Sequence, residues 1–142
     1  MFYFEPPITG KIKHLQTRSG PVEPKYAAIR WIIENHKNPE SLYIVADDWG
    51  IYWNVYNYAL GNFPGKIEIR QTMNQAGFDK NLAIDTEEEF TLFMDRSAYA
   101  IGFKGGPISK MVYKNMLSGR NYLRVGFSDF EGKEFIHVWV QR

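Results

Sequence analysis

The run Leu42-Tyr43-Ile44-Val45-Ala46 constrains the fold more than any other stretch of this chain. It is continuous, apolar and too short for an ordinary helix, which is the pattern of a strand buried on both faces. Asp47 and Asp48 follow at once, and then Ile51, Tyr52, Val55, Tyr56, Ala59 and Leu60 repeat at helical spacing. A buried strand therefore passes through an acidic, aromatic turn into a helix. In open α/β sheets ligands bind in the crevice beyond the carboxyl ends of the strands, where this turn belongs.

The same alternation runs along the chain. Pro24 suits the first turn of a helix over 24–37, which Asn38-Pro39 ends. Residues 66–70 alternate as a second strand. Asp85, with Glu88 three residues on, has the form of a capping box, which opens a helix over 86–95. Residues 99–103 read as a third strand, and Lys104-Gly105-Gly106-Pro107 turns into a helix over 107–117. Strands 122–128 and 134–140 flank a loop with Gly132 at a left-handed position, a β-hairpin. Residues 1–23 form an irregular lead-in with a short strand at 11–15, and 72–83 a polar loop. The order predicts one domain over 1–142: a three-layer α/β fold with a mainly parallel sheet, helices on both faces and a C-terminal antiparallel hairpin.

Charge and composition narrow the function. The 17 basic and 16 acidic side chains are interspersed for a net charge of +1, which argues against nucleic acid, because phosphate neutralisation needs a concentrated basic patch. The absence of cysteine removes disulfides, thiolate zinc sites and cysteine nucleophiles. No stretch approaches the roughly 18 apolar residues of a membrane span. The start, Met1-Phe2-Tyr3-Phe4-Glu5-Pro6-Pro7, suits either the interfacial end of a membrane helix lying upstream or a segment that packs its rings on its own domain.

Two constellations merit attention. Asp47, Asp48, Trp49, Tyr52 and Trp53 supply carboxylate acceptors and aromatic faces, a wall for a saccharide or other polar ligand, and adjacent carboxylates also suit a hard metal ion. The plain alternative is that one Asp caps the helix while Trp49 and Trp53 pack against the sheet. Gly105 and Gly106 lie between a strand and a helix, where backbone N–H groups can face an anion, although neither common phosphate loop is spelled out. His14, His36 and His137 lack metal-ligand spacing, and His137 reads as a sheet-surface residue. No nucleophile elbow occurs, so the sequence assigns no catalytic residue, no metal and no cofactor.

Glu23-Pro24-Lys25, the helix 27–34 and Ile44-Val45-Ala46-Asp47-Asp48-Trp49-Gly50-Ile51-Tyr52-Trp53 place a helix, a strand and an Asp-Trp turn in order. Over about 20–60 the chain thereby resembles the soluble C-terminal tail of polytopic membrane glycosyltransferases of the protein mannosyltransferase type, which use dolichyl- or polyprenyl-phosphate sugars. The resemblance implies an extracytoplasmic, non-catalytic accessory domain that binds a glycan, a lipid-linked sugar or an acceptor, joined to a membrane only through an upstream segment. The catalytic loop of that family has no counterpart here. Two other readings stand beside it: a stand-alone protein–protein interaction domain, and a small nucleotide- or phosphate-binding enzyme that uses Gly105 and Gly106.

Overall fold

A computed structural model describes residues 16–17, 20–21, 23–72 and 82–142, so the expected strand at 11–15 and most of the 72–83 loop lie outside the described residues. A minimal antiparallel ladder joins β1 (Gln16–Thr17) to β2 (Gly20–Pro21). Then follow α1 (Glu23–Asn35), β3 (Ser41–Ala46), α2 (Trp49–Asn62), β4 (Lys66–Gln71), α3 (Glu87–Met94), β5 (Tyr99–Phe103), α4 (Pro107–Leu117), β6 (Tyr122–Ser128) and β7 (Glu134–Gln141).

The main sheet has the order β4-β3-β5-β7-β6. β3 pairs in parallel with β4 and β5, and β7 is antiparallel to both β5 and β6. β7 is thus inserted between strands that all run the other way, and β6 forms the edge. Helices cover both faces, as the alternation of strands and helices requires. Ala28, Ile29 and Ile32 of α1 and Ile51, Tyr52 and Val55 of α2 pack on Leu42, Ile44, Ala46, Ile101 and Val138. Phe90, Phe93 and Met94 of α3 and Ile108 and Val112 of α4 pack on the opposite face against Val45, Ala100 and Trp139. Because β3 is buried on both faces, every residue of its run is apolar.

The ends of the elements are chemically explicit. Asp48 Oδ1 accepts from the Ile51 N–H at 2.9 Å and caps α2. The capping box of α3 uses Thr86 and Glu89, not Asp85 and Glu88: Glu89 N donates to Thr86 Oγ1 and Thr86 N to Glu89 Oε1, each at 3.1 Å. The run Glu87-Glu88-Glu89 offers either frame, and Thr86 is the residue in extended conformation immediately before the first turn. In the hairpin loop Gly132 takes a φ of +85°, as expected, while Asp129 Oδ1 accepts from Glu131 N and Lys133 N.

Candidate functional site at the carboxyl edge of the sheet

β3 connects through α2 to β4 on one side, and β5 connects through α4 to β6 on the other. The two connections leave in opposite directions, so the crevice between the carboxyl ends of β3 and β5 is the topological switch point. Asp47 and Asp48 stand on one lip and Gly102 to Pro107 on the other.

Asp47 is fully buried on the α3/α4 side. Its Oδ2 accepts from Phe103 N at 3.0 Å and its Oδ1 from Ile108 N at 2.8 Å, while Thr72 Oγ1 donates to its backbone carbonyl at 2.8 Å. The carboxylate therefore sits at the N-terminus of α4, where an anion meets free N–H groups and the positive end of the helix dipole. A Cβ on Gly102 would lie 2.9 Å from Asp47 Oδ2, and one on Gly106 would overlap the same oxygen. Both glycines leave room for this carboxylate. The N–H of Gly106 goes to Phe103 O at 2.9 Å, and Gly105 turns the chain with φ +76°.

Burial pushes the Asp47 carboxyl up from 3.8 to about 6; the two backbone donors hold it down and neighbouring Asp48 adds to the rise. Across the crevice Lys25, in the first turn of α1, is also fully buried, with Nζ 6.0 Å from the Phe103 ring centroid. Desolvation draws its ammonium down from 10.5 to about 8, against the attraction of Asp48.

The residues named from sequence part company here. Asp47 and Asp48 stay at the crevice: Asp48 caps α2, and Asp47, which does not, is buried between β3 and α4. Trp49 opens α2, and its side chain lies outside the described residues. Tyr52 is buried in the core and Trp53 is 40% exposed rather than packed against the sheet. Their rings meet edge-on at 5.2 Å, and Tyr56 stacks on Tyr52 at 6.3 Å. Tyr52, Tyr56, Leu60, Phe63, Ile67 and Leu82 line a groove of ≈ 510 Å³ beside β4, away from the Asp47 carboxylate. Lys25, Thr72 and His137 were missed by sequence reasoning. His137 is 3% exposed and not a surface residue. The close approaches marked by Gly102 and Gly126 inside strands are those of Asp47 and Glu134. Among the described residues no three His, Asp or Glu side chains are grouped to hold a metal, and no helix is long and apolar enough to cross a membrane.

No protein-family model matches the chain, and no curated protein matches it. Among solved structures it is similar to a release-factor-specific protein-(glutamine-N5) methyltransferase from Alicyclobacillus acidocaldarius, with 12% identity, 99% of each chain covered and a TM-score of 0.41. This finding is of a methyltransferase and not of a glycosyltransferase tail, and it corrects the resemblance drawn over residues 20–60. The glycosyltransferase-associated, extracytoplasmic and carbohydrate-binding reading is withdrawn with it. The Asp-Asp turn that carried that resemblance has a local explanation: one carboxylate caps α2 and the other ties β3 to α4.

Proposed function

We propose that this chain is a small-molecule-binding α/β domain equipped for proton transfer, with its ligand at the carboxyl edge over the β3–β5 crevice. One observation carries the reading: Lys25 and Asp47, buried groups from different elements, flank the switch point with pKa values drawn to about 8 and about 6. Groups held near neutrality by burial can give and take protons at physiological pH, and they concentrate at functional sites.

The site also selects the chemistry of its ligand. The Asp47 carboxylate already fills the anion position at the start of α4, so a phosphate has no place there. Asp48 caps with one oxygen and is only partly buried, so its other oxygen can accept from a ligand hydroxyl or amine. A polar organic molecule rich in donors and without phosphate fits.

Adenosine and ATP form a matched pair of probes for an NMR shift titration. Adenosine is expected to move residues 47–51 and 102–108, with ATP binding no tighter. If neither probe moves those residues, the reading fails. A second reading, a protein-interaction surface, is favoured by the groove beside β4 and by exposed Trp53, Tyr56 and Leu60. Its mark is a partner whose binding shifts groove residues and leaves the crevice unchanged.

A further inference from the structure

β4 is one edge of the main sheet, and one row of its backbone groups faces outward. Lys66 N donates to Glu40 O at 2.8 Å and Thr72 N to Ala46 O at 3.0 Å, so the even-numbered residues of β4 bond to β3. The N–H and C=O groups of Ile67 and Ile69 therefore point away from the sheet. Gln71, the next in that row, is already met: Ile84 N donates to its carbonyl at 2.8 Å, and a parallel bridge to Ala83 closes that end. The open stretch runs from Gly65 to Ile69, and Gly65, Ile67 and Ile69 all line the groove beside β4. An unpaired edge is a template for another strand.

The helix above this edge is built for the same purpose. α2 carries no Asp, Glu, Lys or Arg along its 14 residues. Tyr52, Tyr56 and Leu60, spaced four apart, line the groove, and Tyr56 and Leu60 are 38% and 61% exposed. A solvated helix presents charge on its outer face, so this uncharged wall suits burial. Charge at the edge is carried instead by Lys66 and Glu68, on the other face of β4 from Ile67 and Ile69. Lys66 is exposed and has no ion-pair partner among the described residues. Glu68 Oε2 accepts from Arg70 at 2.6 Å and Arg96 at 3.3 Å, while its Oε1 accepts from no described residue.

These charges select both the occupant and its register. When β4 pairs antiparallel with β4 of a second copy, the two-fold axis can fall at Ile67, Glu68 or Ile69. An axis at Ile69 sets Ile67 against Gln71, whose carbonyl is taken. An axis at Glu68 sets Glu68 against Glu68 and Lys66 against Arg70, like charges in both pairs. An axis at Ile67 sets Ile67 against Ile67, Ile69 against Gly65, and Lys66 of each copy against Glu68 of the other. Only this last register joins opposite charges and draws solely on open backbone groups.

We infer that β4 is the interface of an isologous homodimer with its axis at Ile67, in which two five-stranded sheets become one and the grooves close on each other. The inference rests on the groove reading and supplies its partner. It leaves the β3–β5 crevice uninvolved.

Sedimentation of the full chain over a concentration series tests it. The chain should dimerise, and the amide hydrogens of Ile67 and Ile69 should exchange more slowly as concentration rises. Leu60→Glu should abolish the dimer. Lys66→Glu sets glutamate against Glu68 at both ends and should weaken association about tenfold. Glu68→Lys should do the same, while an equimolar mixture of these two variants should form a mixed dimer as tight as wild type. If Glu68→Lys fails to fold, Lys66→Glu, at an exposed position, carries the test alone. A chain that stays monomeric to about 1 mM overturns the inference and leaves both a foreign partner for the groove and the ligand crevice standing. A dimer indifferent to Leu60→Glu and Lys66→Glu, or a mixture of folded variants that stays monomeric, also overturns it.

Discussion

The carboxyl edge and the groove beside β4 both draw on residues 47 to 60, yet they are built by opposite means. At the edge, ionisable groups are tied down by directional bonds: fully buried Asp47 by two backbone donors and partly buried Asp48 by its cap. In the groove the walls are aromatic and aliphatic, and Trp53, Tyr56 and Leu60 remain exposed. The edge is held by directional bonds in a poorly solvated place, where a small displacement is costly. The groove is held by apolar packing, which tolerates exchange.

That contrast can be broken at Gly106. A Cβ there would overlap Asp47 Oδ2, so Gly106→Ala should destabilise by about 3 kcal/mol in chemical denaturation, the upper end of an overpacking cost. At Gly105 an added Cβ meets nothing within 4 Å and only the φ of +76° resists it, so Gly105→Ala should cost about 1 kcal/mol. Equal losses at the two positions would mean that the carboxylate is not lodged over Gly106.

Acidity probes the same place. Asp47 is raised in the fold from 3.8 to about 6, so the folded state binds its proton more tightly than the unfolded chain does. Its contribution to stability is fully present below pH 4 and is lost as pH rises through 6, by about 3 kcal/mol between those limits. Midpoints measured from pH 4 to 8 in wild type and Asp47→Asn should differ in slope over that window. Parallel curves would show that Asp47 does not titrate there.

Asp47→Ala at pH 7 should cost about 2 kcal/mol, because Phe103 N and Ile108 N lose their acceptor while the burial of a charge is relieved. Asp48→Ala should cost about 1 kcal/mol, the worth of a helix cap. A larger loss at Asp48 than at Asp47 would reverse the assignment of their roles. The smallest effect belongs to the groove side: Gly61, in the last turn of α2 with open space around it, should stabilise by about 0.5 kcal/mol when changed to Ala.

Local patterns carried most of the elements. The apolar run at 42–46, the capping signals before α2 and α3, Pro107 at the start of α4 and Gly132 in the hairpin each act over a few residues, and each is legible without the fold. The same locality misled at the edges. The acidic run Glu87-Glu88-Glu89 left the cap of α3 in two frames one residue apart, and geometry at Thr86 chose between them. The candidate site was read in two halves, Asp47-Asp48 and Gly105-Gly106, with nothing in the sequence to join them.

The sequence by itself determined the alternation of strands and helices, and hence the three-layer sheet and the lip on which Asp47 and Asp48 stand, because periodicity and capping depend on near neighbours. Only the tertiary structure decided which aspartate is buried, that its carboxylate fills the anion position at α4, and that Lys25 comes beside Phe103 and Asp48. Asp47 and Ile108 are 61 residues apart, and Gly102 meets His137 only through strand register. Such pairings follow from strand order and register, which are global outcomes of packing and leave no mark at any one position in the chain.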